Sequence, residues 1–212
     1  SAYSLDPADP RSRMPSPPGS GSVENFLEKC TGCQICTAAC KAHILKPSLG
    51  QWGLSGLMRP YMDYSAGFCL HACQNCSNAC PTGAIRFIAE DDKRHEKIGT
   101  AIFDQNLCVV KTDGTDCAAC AEHCPVQAIE MIPFGDPKNS LYIPHVHEDV
   151  CIGCGACEYI CPVMPRKAIV VRGLAVHRRA AQFDESMRIY KPEIKEPNTP
   201  AGKPADANPF PF

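Results

Sequence analysis

Cysteine spacing constrains this chain more than any other feature. Sixteen cysteines fall into four groups: Cys30, Cys33, Cys36, Cys40; Cys69, Cys73, Cys76, Cys80; Cys108, Cys117, Cys120, Cys124; and Cys151, Cys154, Cys157, Cys161. Every group closes with C-x-x-C-x-x-x-C, and Pro81, Pro125 and Pro162 follow three of the four terminal cysteines. That run is the one whose thiolates hold [4Fe–4S] clusters. At four thiols per cluster the count predicts four [4Fe–4S] clusters, with all sixteen cysteines as ligands and none left over.

The spacing has a mechanical reason. The first three sulfurs of a compact group wrap one cube, while the fourth points away and ligates the other cluster of a pair, which staples two groups together. Structural zinc fits less well, because its C-x-x-C pairs are normally set apart in sequence to close one tetrahedral site. A disulfide framework belongs to small exported domains without a core and does not repeat this run. Groups two and three depart from the compact pattern, with three residues between Cys69 and Cys73 and eight between Cys108 and Cys117. Each still supplies four thiols, so clusters with a displaced first ligand are expected there.

The rest of the composition agrees. One Trp among 212 residues leaves a thin apolar core, so clusters are expected to fill the interior and folding to depend on their insertion. The bare chain carries a formal charge of −2; about −2 from each thiolate-ligated cluster brings the loaded protein to roughly −10. Partners should therefore present a basic or mixed face. Scattered basic residues give no sign of nucleic-acid binding. No C-x-x-C-H occurs for covalent haem, and no flavin or dinucleotide glycine fingerprint is visible.

Three segments are expected. Residues 1–22, with Pro7, Pro10, Pro15, Pro17, Pro18 and a Gly-Ser-Gly-Ser run, read as a linker; residues 177–212 read as a Pro-rich tail closing on Phe210-Pro211-Phe212. Between them, residues 23–176 repeat a unit in which a strand candidate follows each terminal cysteine: Ala42 to Leu45, Ala84 to Ile88, Ala128 to Ile132 and Ala168 to Val171. Aliphatic segments precede the later groups, at Leu57 to Cys69, Ile98 to Cys108 and Leu141 to Cys151, and residues 135–140 (GDPKNS) read as a hairpin turn. The expected fold class is α+β: tandem bacterial-ferredoxin-like repeats, two dicluster modules of short strands and helices with disordered ends. Two pairings of groups fit. Neighbours can pair, as the hairpin before group four favours; or groups two and three can nest inside one and four, which suits the compact groups lying outermost. Nesting is the preferred arrangement, with Cys161 joining Cys30, Cys33 and Cys36, Cys40 joining Cys151, Cys154 and Cys157, and groups two and three exchanging Cys80 and Cys124.

Gly32, Gly153 and Gly155 lie in cysteine loops where backbone must approach a cube, and Thr82-Gly83 is expected to turn the chain. His71, His123, His145, His147 and His177 are assigned surface or hydrogen-bonding roles, since thiols already complete every cluster. Trp52, Tyr61, Tyr64 and Tyr159 are expected to pack over clusters or in the ordinary core.

The order of compact, expanded, displaced and compact groups, with Ile143-Pro144 before Cys151 to Cys157 (CIGCGAC), resembles the NapG/MauM ferredoxin-type proteins over residues 17–177. Pro17-Pro18-Gly19, Cys30 to Cys36 (CTGCQIC), Cys80 to Arg86 (CPTGAIR) and Cys151 to Pro162 resemble the ferredoxin portion of membrane-tethered polyferredoxins. Lys41 departs from the proline usual at that position. The resemblance implies an electron carrier, not an enzyme, that passes single electrons from a quinol-oxidising membrane subunit to a reductase or cytochrome. A tightly bound iron–sulfur subunit of a larger oxidoreductase is the alternative. It further implies an extracytoplasmic, periplasmic location, with a cytoplasmic polyferredoxin as the alternative. The chain opens on Ser1 and has no transmembrane run, so a processed form, or a portion following an export or membrane element, is expected, with membrane association only through that element or a partner.

Overall fold

The computed structural model describes residues 13–135 and 141–191. Its helices are all short: α1 Val23–Lys29, α2 Ile35–Ala39, α3 Asn75–Ala79, α4 Glu90–His95, α5 Val109–Thr112, α6 Ala119–Glu122 and α7 Ala156–Ile160. Pieces of this length are marginal in water and persist only when tertiary contacts hold them. The strands are β1 Leu45–Pro47, β2 Pro60–Met62, β3 Glu96–Phe103, β4 Ile129–Pro133, β5 Tyr142–Val146 and β6 Ile169–Arg179. They form three antiparallel pairs, β1 with β2, β3 with β6 and β4 with β5.

Two modules follow from these pairings. In the second, β3 precedes the third cysteine group and β6 follows the fourth, while the β4–β5 hairpin connects the two groups; its register runs from Ile129 opposite Val146 to Pro133 opposite Tyr142. The turn assigned to residues 135–140 falls mostly outside the described residues, but the flanking bond from Phe134 N–H to Leu141 O, 2.9 Å, closes the ladder. The first module repeats the scheme with β1–β2 as its connecting hairpin. Its outer pair is reduced: Ala84 to Ile88, expected as a strand, forms none, and Arg86 N–H instead donates to Gly19 O at 3.0 Å.

That contact corrects the expected start of the folded body. Residues 13–22, assigned to a linker, are packed inside it, with Ser16, Pro17, Pro18 and Ser20 buried. Proline lacks an N–H to satisfy, so a Pro-rich extended segment can be buried at low cost if its carbonyls find donors. They do: Gly173 N–H reaches Arg13 O, Met62 N–H reaches Pro15 O and His177 N–H reaches Gly21 O. Glu96 accepts Gly19 N–H through both carboxylate oxygens and His177 Nδ1 through one of them, and the other ring nitrogen meets Ser16 Oγ at 2.9 Å. Ser22 then caps α1, its hydroxyl accepting Asn25 N–H.

The far boundary also moves. A tail was expected from residue 177, but β6 continues to Arg179, Ala180 is buried, and the strap ending at Tyr190 returns to β4. Buried Glu130 holds it, accepting Ile189 and Tyr190 N–H at 2.9 and 2.6 Å and His147 Nε2 at 2.9 Å. The remaining tail residues, 192–212, and the first twelve of the linker lie outside the described residues.

Candidate iron–sulfur centres

Each cysteine loop is shaped by a few special backbone positions. Gly32, Gly153 and Gly155 have φ of +71°, +76° and +82°, as their expected close backbone approach requires. Gly155 opens α7 and Gln34, at φ +62°, opens α2 in the corresponding place. The Gln34 side chain supports its own left-handed turn, donating to Gly32 O and Met58 O and accepting from Thr37 Oγ1.

The sulfurs gather by neighbouring groups. Cys30, Cys33, Cys36 and Cys80 line one small cavity; Cys40, Cys69, Cys73 and Cys76 line a second; Cys108, Cys117, Cys120 and Cys161 line a third. Cys124 lies within electrostatic reach of Cys151, Cys154 and Cys157. In each set the fourth cysteine of one group has crossed to the other group of its module. This overturns the nested arrangement: Cys161 belongs with group three rather than group one, and Cys40 with group two rather than group four. The reason is local. Each connecting hairpin, β1–β2 or β4–β5, turns the chain back before it can travel to a distant group.

The thiol sets fit a cube better than a single ion. Among the described residues no three Cys, His, Asp or Glu side chains converge closely enough to hold one metal ion; three of the sets surround small cavities instead. Apolar side chains complete the walls, Phe26 and Ile85 in the first, Ile44 and Met62 in the second, Phe103 and Ile169 in the third. Burial pushes the Cys36 thiol up to about 11 and those of Cys76, Cys120 and Cys154 up to about 12, with neighbouring sulfurs adding to the effect. Four such groups become thiolates together only around a cationic core, so loading releases protons. Backbone donors are ready for the sulfurs: Ile85 N–H to Cys80 at 3.3 Å, Ala128 N–H to Cys124 at 3.2 Å and Ala101 N–H to Cys151 at 3.4 Å. At Cys80 burial raises the thiol, but the Ile85 N–H and the Thr82 hydroxyl and N–H outweigh it and leave the group lowered.

The two modules meet at their cysteine loops. Cys69 N–H donates to Cys154 O at 2.8 Å and the buried Tyr64 hydroxyl to Gly153 O at 2.7 Å, while within the second module Ile98 N–H donates to Ile152 O at 3.0 Å. Tyr64 thus lies over the junction, as its expected packing role requires, and Tyr61 is also buried. Trp52 packs on Phe26, and Tyr159, 40% exposed, on Phe68. His147 and His177 are the hydrogen-bonding groups described above. The sequence reading missed Lys93 and Lys97, buried at 3% and 1% exposure beside the junction; nothing in their charged surroundings in sequence marks them as interior.

Comparison with known proteins agrees with this geometry. The description "4Fe-4S dicluster domain" matches residues 29–85 and again residues 115–164, one per module. The second match begins beyond Cys108, whose place is given by the cavity it lines. Two dicluster domains and sixteen cysteines support four [4Fe–4S] clusters. The methylamine utilization ferredoxin-type protein MauM of Methylobacillus flagellatus is 31% identical over 167 residues, covering 76% of this chain and 69% of MauM. The ferredoxin-type protein NapG of Escherichia coli K12 is 33% identical over 170 residues, covering 76% of this chain and 71% of NapG. The ferredoxin-type protein NapF of the same strain is 29% identical over 161 residues, covering 76% and 86%. With thiols paired across two α+β modules and relatives alike over most of their length, the chain belongs to the NapG/MauM ferredoxin-type iron–sulfur electron-transfer proteins.

Proposed function

We propose that the chain is a linear one-electron relay without chemistry of its own. All sixteen cysteines serve as ligands, in the sets Cys30, Cys33, Cys36, Cys80; Cys40, Cys69, Cys73, Cys76; Cys124, Cys151, Cys154, Cys157; and Cys108, Cys117, Cys120, Cys161. When bound, each cluster supplies reversible uptake of a single electron. The protein contributes order, burial and docking. The observation that carries this reading is the Cys69 to Cys154 backbone bond, which brings an inner thiol set of one module against an inner thiol set of the other and so supports a file of four sites.

The ends of the file differ in surroundings. Cys33 is exposed, and the loop against it, tied through Gln34 to Met58, carries Leu54 at 94% exposure and Leu57 at 53%. We assign this end to a redox partner with an apolar contact face, in keeping with a quinol-oxidising membrane subunit as donor and a reductase or cytochrome as acceptor at the other end. No helix of the described residues is long and apolar enough to cross a membrane. The proposed location is the extracytoplasmic side of the membrane, for which fractionation of native cells is the test. The same exposed leucines favour a second reading, a subunit held permanently on a larger oxidoreductase.

Iron and sulfide analysis of anaerobically purified protein, with low-temperature EPR of the reduced state, tests the relay. About sixteen irons and spectra broadened by coupling between neighbours are expected; a colourless folded protein binding zinc refutes it. Size exclusion of native extract separates the carrier, which elutes free, from the subunit, which co-elutes with its partner.

A further inference from the structure

Two lysines are buried where the modules meet. Lys93 comes from α4, whose sequence EDDKRH is charged throughout. Its neighbours Asp91, Asp92 and Arg94 are exposed while Lys93 is turned inward at 3% exposure. Its ammonium lies within electrostatic reach of Cys69 and Cys76. Lys97, in β3, is 1% exposed, within reach of Cys151, and donates to Glu148 O. Arg178, Asp149 and Glu148 are the other charged groups near it. Each inner thiol set therefore has one buried ammonium beside its first cysteine.

Among the described residues the outer sets have no buried equivalent. Arg59 donates to Cys30 O and lies within electrostatic reach of Cys30, and Lys167 donates to Cys161 O. Both are also only half-buried, and solvent screens such charges far more than buried ones. A buried lysine is rare unless something nearby repays its desolvation. A thiolate-ligated cluster of net negative charge would do so.

Resting on the relay proposed above, we propose that Lys93 and Lys97 set potentials: each is a fixed cation that favours the reduced form of an inner cluster. Reduction adds one negative charge beside the ammonium, so the reduced state gains and the midpoint rises. The middle of the file is thereby made a place where an arriving electron settles, and an electron entering at either end is drawn inward.

The test is an EPR-monitored potentiometric titration of the loaded protein and of Lys93→Met, Lys97→Met, Lys93→Arg and Lys97→Arg, with iron counted in every sample. Each methionine variant should lower one midpoint, a different one in each, by at least a tenfold change in the equilibrium constant, about 59 mV for one electron. The arginine variants, which keep the charge, should move that midpoint less. Unchanged midpoints in methionine variants that retain wild-type iron overturn the proposal. A wild-type iron count well below about sixteen instead overturns the relay itself. If a methionine variant loses iron, wild-type protein labelled with 15N at the lysine side-chain nitrogen decides the matter: hyperfine coupling from 15N to reduced clusters supports the placement, and its absence overturns it.

Discussion

Gly155→Ala should weaken the module junction by more than backbone strain alone can explain. Gly155 sits at φ +82°, and a Cβ there would lie 2.2 to 2.5 Å from three ring atoms of Tyr64. The left-handed backbone costs an alanine about 1–2 kcal/mol. Displacing a ring that is 4% exposed adds about 1–3 kcal/mol of overpacking, and losing the Tyr64 hydroxyl bond to Gly153 O adds about 1 kcal/mol. The sum is roughly 3–6 kcal/mol, against about 1–2 kcal/mol for Gly83→Ala, where φ is +71° but no atom lies within 4 Å of the new Cβ. Guanidinium unfolding of the loaded protein under argon, followed by visible cluster absorption and by tyrosine fluorescence, compares the two. At a slope of about 4 kcal/mol/M, Gly155→Ala should lower the midpoint by about 1 M and Gly83→Ala by less than half of that. Equal shifts for the two variants would mean that Tyr64 is not wedged at the junction, and the reasoning fails.

Cys124→Ala should remove the cluster that also depends on Cys151, Cys154 and Cys157 while leaving the site of Cys108, Cys117 and Cys120 loaded; Mössbauer spectra and a loss of about four irons check this, and an affected group-three site refutes the crossing. Glu96→Ala strips the shared acceptor from Gly19 N–H and His177 at a cost of about 2 kcal/mol, so trypsin should cut after Arg13 about thirtyfold faster when local opening is a fast pre-equilibrium to cleavage. At Glu130 burial raises the carboxyl, but the Ile189 and Tyr190 N–H groups and His147 outweigh it and leave it lowered. Its contribution to stability is then complete above the ordinary glutamate range, near 4.5, and is lost as pH falls through the lowered value. Amide exchange at Ile189 and Tyr190 should accelerate in that acid window in wild type, and at all pH values in Glu130→Ala. Chelating the iron should abolish most of the circular dichroism, because short helices lose the sulfurs' common anchor; a native-like spectrum refutes it.

The cluster chemistry was legible because it is written in local spacing: C-x-x-C-x-x-x-C sets three sulfurs within one loop and one turn of helix, whatever surrounds them. Six of the strand positions were legible for a similar reason, as short aliphatic runs beside each group. The pairing of groups was not. Compact or expanded spacing says how a loop reaches its own cube and nothing about where the chain goes after the fourth cysteine, which is decided by the β1–β2 and β4–β5 hairpins. The ends were misread because proline content was taken as a sign of solvent. At Pro15, Pro17 and Pro18 it serves instead to bury an extended segment whose missing donors need no partner. The strap before Tyr190 depends on one long-range acceptor, Glu130, which sits in a strand pattern where its isolated charge gives no hint of its partners.

The two buried lysines show why such features escape a reading by composition. Lys93 lies among acids and bases that would each suit a solvated helix face, and only the direction of its side chain distinguishes it. That direction follows from α4 leading into β3, which carries Lys97 to the opposite side of the junction and fixes Ile98 against Ile152. One short connection therefore places both ammonium groups and joins both modules. A change that uncouples α4 from β3 should disturb both inner sites together.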